Sequence, residues 1–381
     1  MLRKQLFVLF LMTPLASISS PFNSAQAKSA VSKPVKSEKE TFLVNEIVRL
    51  KDVPWGLAFL NPDEAIVTLR DGGIVLLNSK TKSTTSISGG PKVIAKGQGG
   101  LLDVALHPKF AANQWVYFTY STKSKSGSTT ELARAKFIHP NKLTDLTVLF
   151  TALTDSDTDV HFGSRLVFDD HGLLYMTVGD RGKREKAQML NFHNGKVLRL
   201  DENGKPAEGN PFVDRKDALP EIWTYGHRNL QGIAIHPETN DIWTQEHGPR
   251  GGDEINKLKK GANYGWPVIT YGKEYWGPSI GEGTHKPGME QPVHYWVPSI
   301  APCGLTFYSG RVFKNWKNHL FSGALKLQHL NRLDLSESGK IHEERLLKNL
   351  NERIRHVVEG PAGYLYLTTD SGRVLKLTPG K

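Results

Sequence analysis

The stretch Leu166–Asp180 reads LVFDDHGLLYMTVGD: a short apolar run, a polar Asp-His-Gly corner, then a second run rich in apolar and aromatic residues. A tight turn between two such runs is a hairpin signal. The same unit starts again at Leu57 (LAFLNPDEAIVTL), Val104 (VALHPKFAANQWVYFTY) and Ile233 (IAIHPETNDIWTQE). It returns, more degenerate, at Leu305 (LTFYSG), and once more at Val357 (VVEGPAGYLYLTTDSG). Six starts at a mean spacing of about 60 residues leave room for four short strands and their loops per copy, the size of a propeller blade. The fold expected is all-β: a six-bladed β-propeller of four-stranded antiparallel blades. A β-sandwich or a two-domain all-β chain would not account for six similar units. Thr41–Leu50 (TFLVNEIVRL) precedes the first copy, and it is expected to pair with the last blade and close the ring. Helical signals are nearly absent, with Lys183–Leu190 the one short candidate.

The flanks read differently. Arg3 and Lys4 precede the apolar run Leu6–Leu11, and small residues follow up to Ala25-Gln26-Ala27, the pattern of a cleavable signal peptide ending at Ala27. Residues 28–40 are rich in Lys, Ser and Glu and read as a flexible linker, so the propeller is expected over residues 41–381. The run is too short for a permanent membrane span, and no later stretch qualifies. The expected location is the periplasm or the exterior. The formal net charge is +11, and loss of Arg3 and Lys4 with the leader leaves +9. A basic balance suits an anionic partner, but no basic helix, zinc-finger spacing or RNA-binding motif points to nucleic acid. Cys303 is the sole cysteine, which excludes an intrachain disulfide.

The repeat also orients the molecule. If the first strand of each copy runs away from one face, residues before it share that face with residues that follow the second strand. Trp55, Gln98, His161, Arg228, Asn229, Cys303, Arg353 and Arg355 precede copies, while Asp180, Glu246–Pro249 and Asp370 follow second strands. Polar and unusual residues thus gather on one rim of the channel. His161 and Asp180 flank one strand pair, an arrangement that suits a base oriented by a carboxylate. Arg228, Lys326 (in the strand-like GALKLQ), Arg353 and Arg355 would together form a trap for a small polyanion. The Gly-rich stretch Glu246–Glu254 offers carbonyls and two adjacent carboxylates, Asp253 and Glu254. Its ligands suit calcium, though the spacing is not an EF-hand, and the same residues would equally make a structured loop with surface ion pairs.

The motifs GQGGLLDVALHP (97–108), HFGSRLVF (161–168), YMTVGDRG (175–182), YGHRNLQG (225–232), EHGPRGGDEIN (246–256), GANYGWP (261–267) and VPSIAPCGLTFYSG (297–310) resemble the glucose/sorbosone dehydrogenase family. These are soluble quinoprotein aldose sugar dehydrogenases that use pyrroloquinoline quinone (PQQ) and Ca2+, on a six-bladed propeller. The resemblance runs from about Val44 to the C terminus. It implies oxidation of an aldose sugar at the anomeric carbon to a lactone, with His161 as base and Asp180 as its support. It implies PQQ contacts from Gln98, Arg228, Asn229, Tyr275, Lys326, Arg353 and Arg355. Carbonyls of Gly248 and Pro249 would bind the active-site calcium, Glu254 and Tyr264 a second calcium, and Trp296 would stack on sugar or cofactor. An electron acceptor, a cytochrome or a quinone, is implied as partner. The sequence departs from its relatives at Cys303, where a small hydroxyl residue is expected, at Glu185, where some carry glutamine, and at Val160, where some carry a polar residue. Two other readings share the scaffold: a non-catalytic interaction propeller, and a calcium-dependent lactonase.

Overall fold

The computed structural model describes residues 33–337 and 340–380. The expected signal peptide and its cleavage site lie outside them. Six antiparallel sheets are formed, each beginning where a sequence copy begins. Their innermost strands are Pro54–Phe59, Leu101–Leu106, Leu166–Phe168, Leu230–Ile235, Pro302–Phe307 and Ile354–Glu359, in blades 1 to 6. Alternating apolar residues on the two faces of each blade fill the space between neighbours. Phe118, Val116 and Ile66 pack blade 1 on blade 2, and Trp243, Leu305 and Leu320 pack blade 4 on blade 5. The short helix expected at Lys183–Leu190 is a 3-10 turn, Arg184–Gln188.

Ring closure follows the expectation. Thr41–Arg49 is hydrogen-bonded to Arg373–Pro379, with Phe42 opposite Pro379 and Arg49 opposite Arg373. Part of the expected linker is ordered, however. Val35–Lys36 adds a fifth strand to this blade. Glu38 then reaches the buried Arg332 at 3.0 Å, and Lys39 reaches Asp334 at 2.6 Å. A Lys/Ser/Glu composition reads as solvated, but here its charges meet buried partners on blade 5.

In five blades the innermost strand carries a register shift near its start. The pairing skips Trp55, Leu102 with Asp103, Gln231, Gly304 and Arg355. A β-bulge breaks the in/out alternation and re-aims a side chain, and bulges concentrate beside active sites. Here they turn Trp55, Gln231 and Arg355 towards the channel.

Candidate active site

The strand Leu174–Val178 ends at Gly179-Asp180, and the loop before Leu166 delivers His161 beside it. Close approach requires the glycine: a Cβ at Gly179 would lie 2.1 Å from the carbonyl oxygen of His161. His161 itself has φ 53°, a left-handed conformation rare outside glycine, and its N–H donates to Gln98 Oε1 at 2.8 Å. The imidazole Nδ1–H donates to Asp180 Oδ1 at 2.7 Å. Asp180 is held in turn by Gly182 N–H on Oδ1 and by the Trp266 indole N–H on Oδ2, both at 2.8 Å. Nδ1 therefore carries the proton, and the lone pair is on Nε2.

Burial, with the nearby charges of Arg228 and Arg181, pushes the His161 pKa below its usual 6.5 against the pull of Asp180. Burial pushes Asp180 the other way, but the His161 hydrogen bond and the His161 and Arg228 charges hold it below the usual carboxylate range. The pair is thus neutral imidazole beside carboxylate near neutral pH, the state a base requires.

Beside the pair lies a cavity of about 430 Å³, walled by residues that include Trp55, Arg70, Gln98, Asn229, Arg353 and Arg355. Asp370 is shared by two guanidinium groups, Arg353 Nε at 2.7 Å and Arg355 Nε at 2.8 Å. Three arginines against one carboxylate leave the wall cationic. Arg228 stands behind, donating from Nη1 to the carbonyls of His247 (2.9 Å) and Gly248 (3.1 Å). A planar polycarboxylate fits this donor set.

Trp296 lies elsewhere, and neither Lys326 nor Tyr275 lines this cavity, although His161, Asp180 and Arg228 stand outside its wall as well and Leu325, next to Lys326, is part of it. Lys326 is not on a strand: the strand Leu320–Ala324 ends first, and Lys326 sits in the exposed turn after it, outside the cavity wall. Tyr275 is 65% exposed on a loop, also outside that wall. Trp296, expected to stack on sugar or cofactor, is instead 2% exposed, in the apolar layer between blades 4 and 5, with its ring edge-on to His294. It closes the outer strand of its blade, opposite Asp253.

The two adjacent carboxylates of the Gly-rich stretch point to different tasks. Asp253 accepts from the N–H groups of Gly248, Ile300 and Ala301 and from the Ser299 hydroxyl. It is consumed in holding the turn that presents Gly248 and Pro249. Glu254 faces Glu246 across Asn256, whose Nδ2 lies 3.2 Å from each carboxylate and whose Oδ1 has no partner. Burial first, then the charge of Glu246, pushes the Glu254 pKa well above its usual value. Glu246 and Glu254 line a cavity of about 10 Å³, and their two carboxylates, with the orphaned amide oxygen of the Asn256 that bridges them, are a donor set that fits a hard cation. Tyr264 has only its carbonyl to offer, because its hydroxyl donates to Lys257 O and accepts from Lys259 N.

No role is expected from the sequence for Arg70, Gln231 or Trp266, and His247 is placed on the rim only as part of the Glu246–Pro249 turn. Trp266 was findable, since it stands in the quoted GANYGWP stretch; Arg70 carries no local signal. His247 donates from Nε2 to Pro302 O, and burial, with the Arg228 charge, takes its pKa down to about 3.

The Glucose / Sorbosone dehydrogenase family profile matches residues 51–376. Aldose sugar dehydrogenase YliI of Escherichia coli is 40% identical over 97% of this chain and 98% of its own. The apo-form crystal structure of the soluble aldose sugar dehydrogenase from Escherichia coli superposes with a TM-score of 0.86 at 40% identity, covering 89% of this chain and all of that one. A PQQ-bound aldose sugar dehydrogenase from Streptomyces coelicolor gives a TM-score of 0.74 at 26% identity over 88% of this chain and 98% of that one. Profile, sequence and fold agree across the whole propeller: this chain belongs to the glucose/sorbosone dehydrogenase family.

Proposed function

We propose that the protein oxidises aldose sugars at the anomeric carbon to lactones, with PQQ and calcium as cofactors and His161 as base. The observation that carries this reading is the His161–Asp180 pair, with Nδ1 bonded to the carboxylate, next to Gln98, Phe162 and Gly163 of an arginine-walled cavity. Arg353, Arg355 and Arg228, with Gln98 and Asn229, would hold the PQQ carboxylates and ring oxygens. The carbonyls of Gly248 and Pro249 would hold the active-site calcium, and Glu246, Glu254 and the Tyr264 carbonyl a second one. When bound, PQQ supplies the two-electron acceptor for the hydride leaving the anomeric carbon, and calcium supplies a Lewis acid beside it.

The chain's own part is proton transfer and placement. His161 Nε2 takes the proton of the anomeric hydroxyl, and Asp180 stabilises the imidazolium so formed. The Trp266 and Gly182 N–H groups keep Asp180 ionised and oriented. The likeness to a PQQ-bound relative and the cationic wall support PQQ, and the paired buried carboxylates support calcium. The N-terminal leader supports export, and no helix among the described residues is long and apolar enough to cross a membrane. The final electron acceptor would then be an exported cytochrome or a quinone.

The test is reconstitution of purified protein with PQQ and Ca2+, followed by dye reduction with a panel of aldoses. Turnover that requires both additions is expected. Folded protein that binds PQQ and turns over no aldose would overturn the substrate class.

A further inference from the structure

The arginine-walled cavity is one end of the propeller's channel. A second cavity of about 380 Å³, lined by Leu57, Val104, Phe168, Ile233, Phe307 and Val357 among others, opens at the other end. Each inner strand passes from the first to the second: Trp55 lines one and Leu57 the other, Gln231 one and Ile233 the other, Arg355 one and Val357 the other. Between the two cavities stands Arg165, only 1% exposed.

Its guanidinium reaches every other blade. Nη1 lies 3.5 Å from Trp55 O in blade 1 and 3.3 Å from Asp103 Oδ1 in blade 2, and Nε donates to Gln231 O in blade 4 at 2.9 Å. Nη2 lies 3.5 Å from Cys303 Sγ in blade 5 and donates to Arg355 O in blade 6 at 3.0 Å, while Nη1 donates to His356 Nδ1 at 3.0 Å. The guanidinium carbon also lies 3.9 Å from the centre of the Trp55 ring, cation–π contact. Trp55, Gln231 and Arg355 are among the residues that the bulges take out of register, as is Asp103. A bulge frees backbone groups from the ladder, and buried ones must find another partner. A lysine in this place would balance Asp103, but its single nitrogen lacks the planar spread with which the guanidinium reaches groups on five blades.

We infer that Arg165 is a positioning residue and the plug of the channel: it fixes Trp55, Gln231 and Arg355 as the floor of the cofactor cavity and separates that cavity from the one below. The inference about affinity rests on PQQ being the ligand; the inference about the plug does not.

Cys303 provides a native reporter, being the chain's sole cysteine, 0% exposed and in contact with the plug. The experiment measures labelling of native full-length protein by a small methanethiosulfonate reagent in wild type, Arg165→Ala and Arg165→Lys, at several low urea concentrations. PQQ affinity is read by absorbance titration with Ca2+. In Arg165→Ala, labelling should be about tenfold faster and independent of urea, as local opening requires. The PQQ Kd should rise about tenfold, since Arg355 and Gln231 lose their anchor. Arg165→Lys should fall between. Labelling that rises only with urea would mean a loss of global stability alone and would overturn the plug, as would a folded Arg165→Ala whose Cys303 stays as protected as in wild type. If Arg165→Ala does not fold, Arg165→Lys decides by the same criterion. Faster labelling in the variants together with no PQQ binding by wild type would support the plug and sink the cofactor reading.

Discussion

His161 can act as a base only while Nε2 keeps its lone pair, and opposed influences set how far down in pH that holds. Burial and the Arg228 and Arg181 charges lower its pKa; Asp180 raises it, and the net shift is downward from 6.5. The acid limb of kcat/KM should therefore be centred below pH 6.5, with more than half of the plateau activity kept at that pH; a limb centred above 6.5 would contradict the burial argument. Asp180→Asn removes the influence that raises the pKa, so the limb should move to still lower pH while kcat falls. His161→Ala should lower kcat by about 10²–10⁴-fold with PQQ binding largely kept, the usual range for loss of a general base. Near-wild-type turnover would assign the base elsewhere. The pair was legible in the sequence because His161 and Asp180 flank one hairpin. Arg165 was not, although it stands in the quoted HFGSRLVF: a charge in an apolar run declares that it is buried, not what it meets across the channel.

At the scale of elements, the turn presenting Gly248 and Pro249 depends on Asp253. Asp253→Ala would strand three backbone N–H groups and a hydroxyl, a loss of about 3 kcal/mol, read by chemical denaturation. Glu254 behaves oppositely. Its carboxyl is pushed well above the usual 4.5 by burial and Glu246. The unfolded chain ionises it first, so the metal-free fold should lose stability as pH rises through 4.5 and until the folded group ionises. A bound cation cancels that loss. A calcium chelator at neutral pH should then lower the melting temperature of the wild type and have much less effect on Glu254→Gln, while equal effects in both would remove the cation from this site. The hairpins were readable from alternation and turn residues, and so was the closing strand. The failures have a common cause. Spacing along a strand gives the side of the sheet only while alternation is unbroken and the strand's end is known. Trp296 was misplaced because an aromatic beside a motif looks the same in a blade's outer layer as on a rim, and GALKLQ, strand-like throughout, hides the end of a strand at Ala324.

Across the whole molecule, the segment before the first copy does more than the sequence indicated. Arg332 is buried with Glu344 at 2.7 Å and Glu38 at 3.0 Å, and Lys39 neutralises Asp334. Truncation to Thr41 should leave the six blades intact and destabilise them by about 1–3 kcal/mol, from the loss of one partner of a buried guanidinium. An unchanged denaturation midpoint would make the segment an ornament of the surface. Further truncation through Arg49 should abolish cooperative unfolding, since it bares the edge of Arg373–Pro379.

The closing pair also dictates an order of events during synthesis. Asn45 and Thr378 join side chains although they stand 333 positions apart in the chain. The partner of the first long strand is made only after the inner strands of all six blades, so the ring cannot close until Arg373–Pro379 has emerged. Closure of the circle is the last of these pairings to become possible, and long-range strand pairing is slow; if the protein is exported as proposed, a machinery that threads unfolded polypeptide would have that whole interval in which to take hold of it.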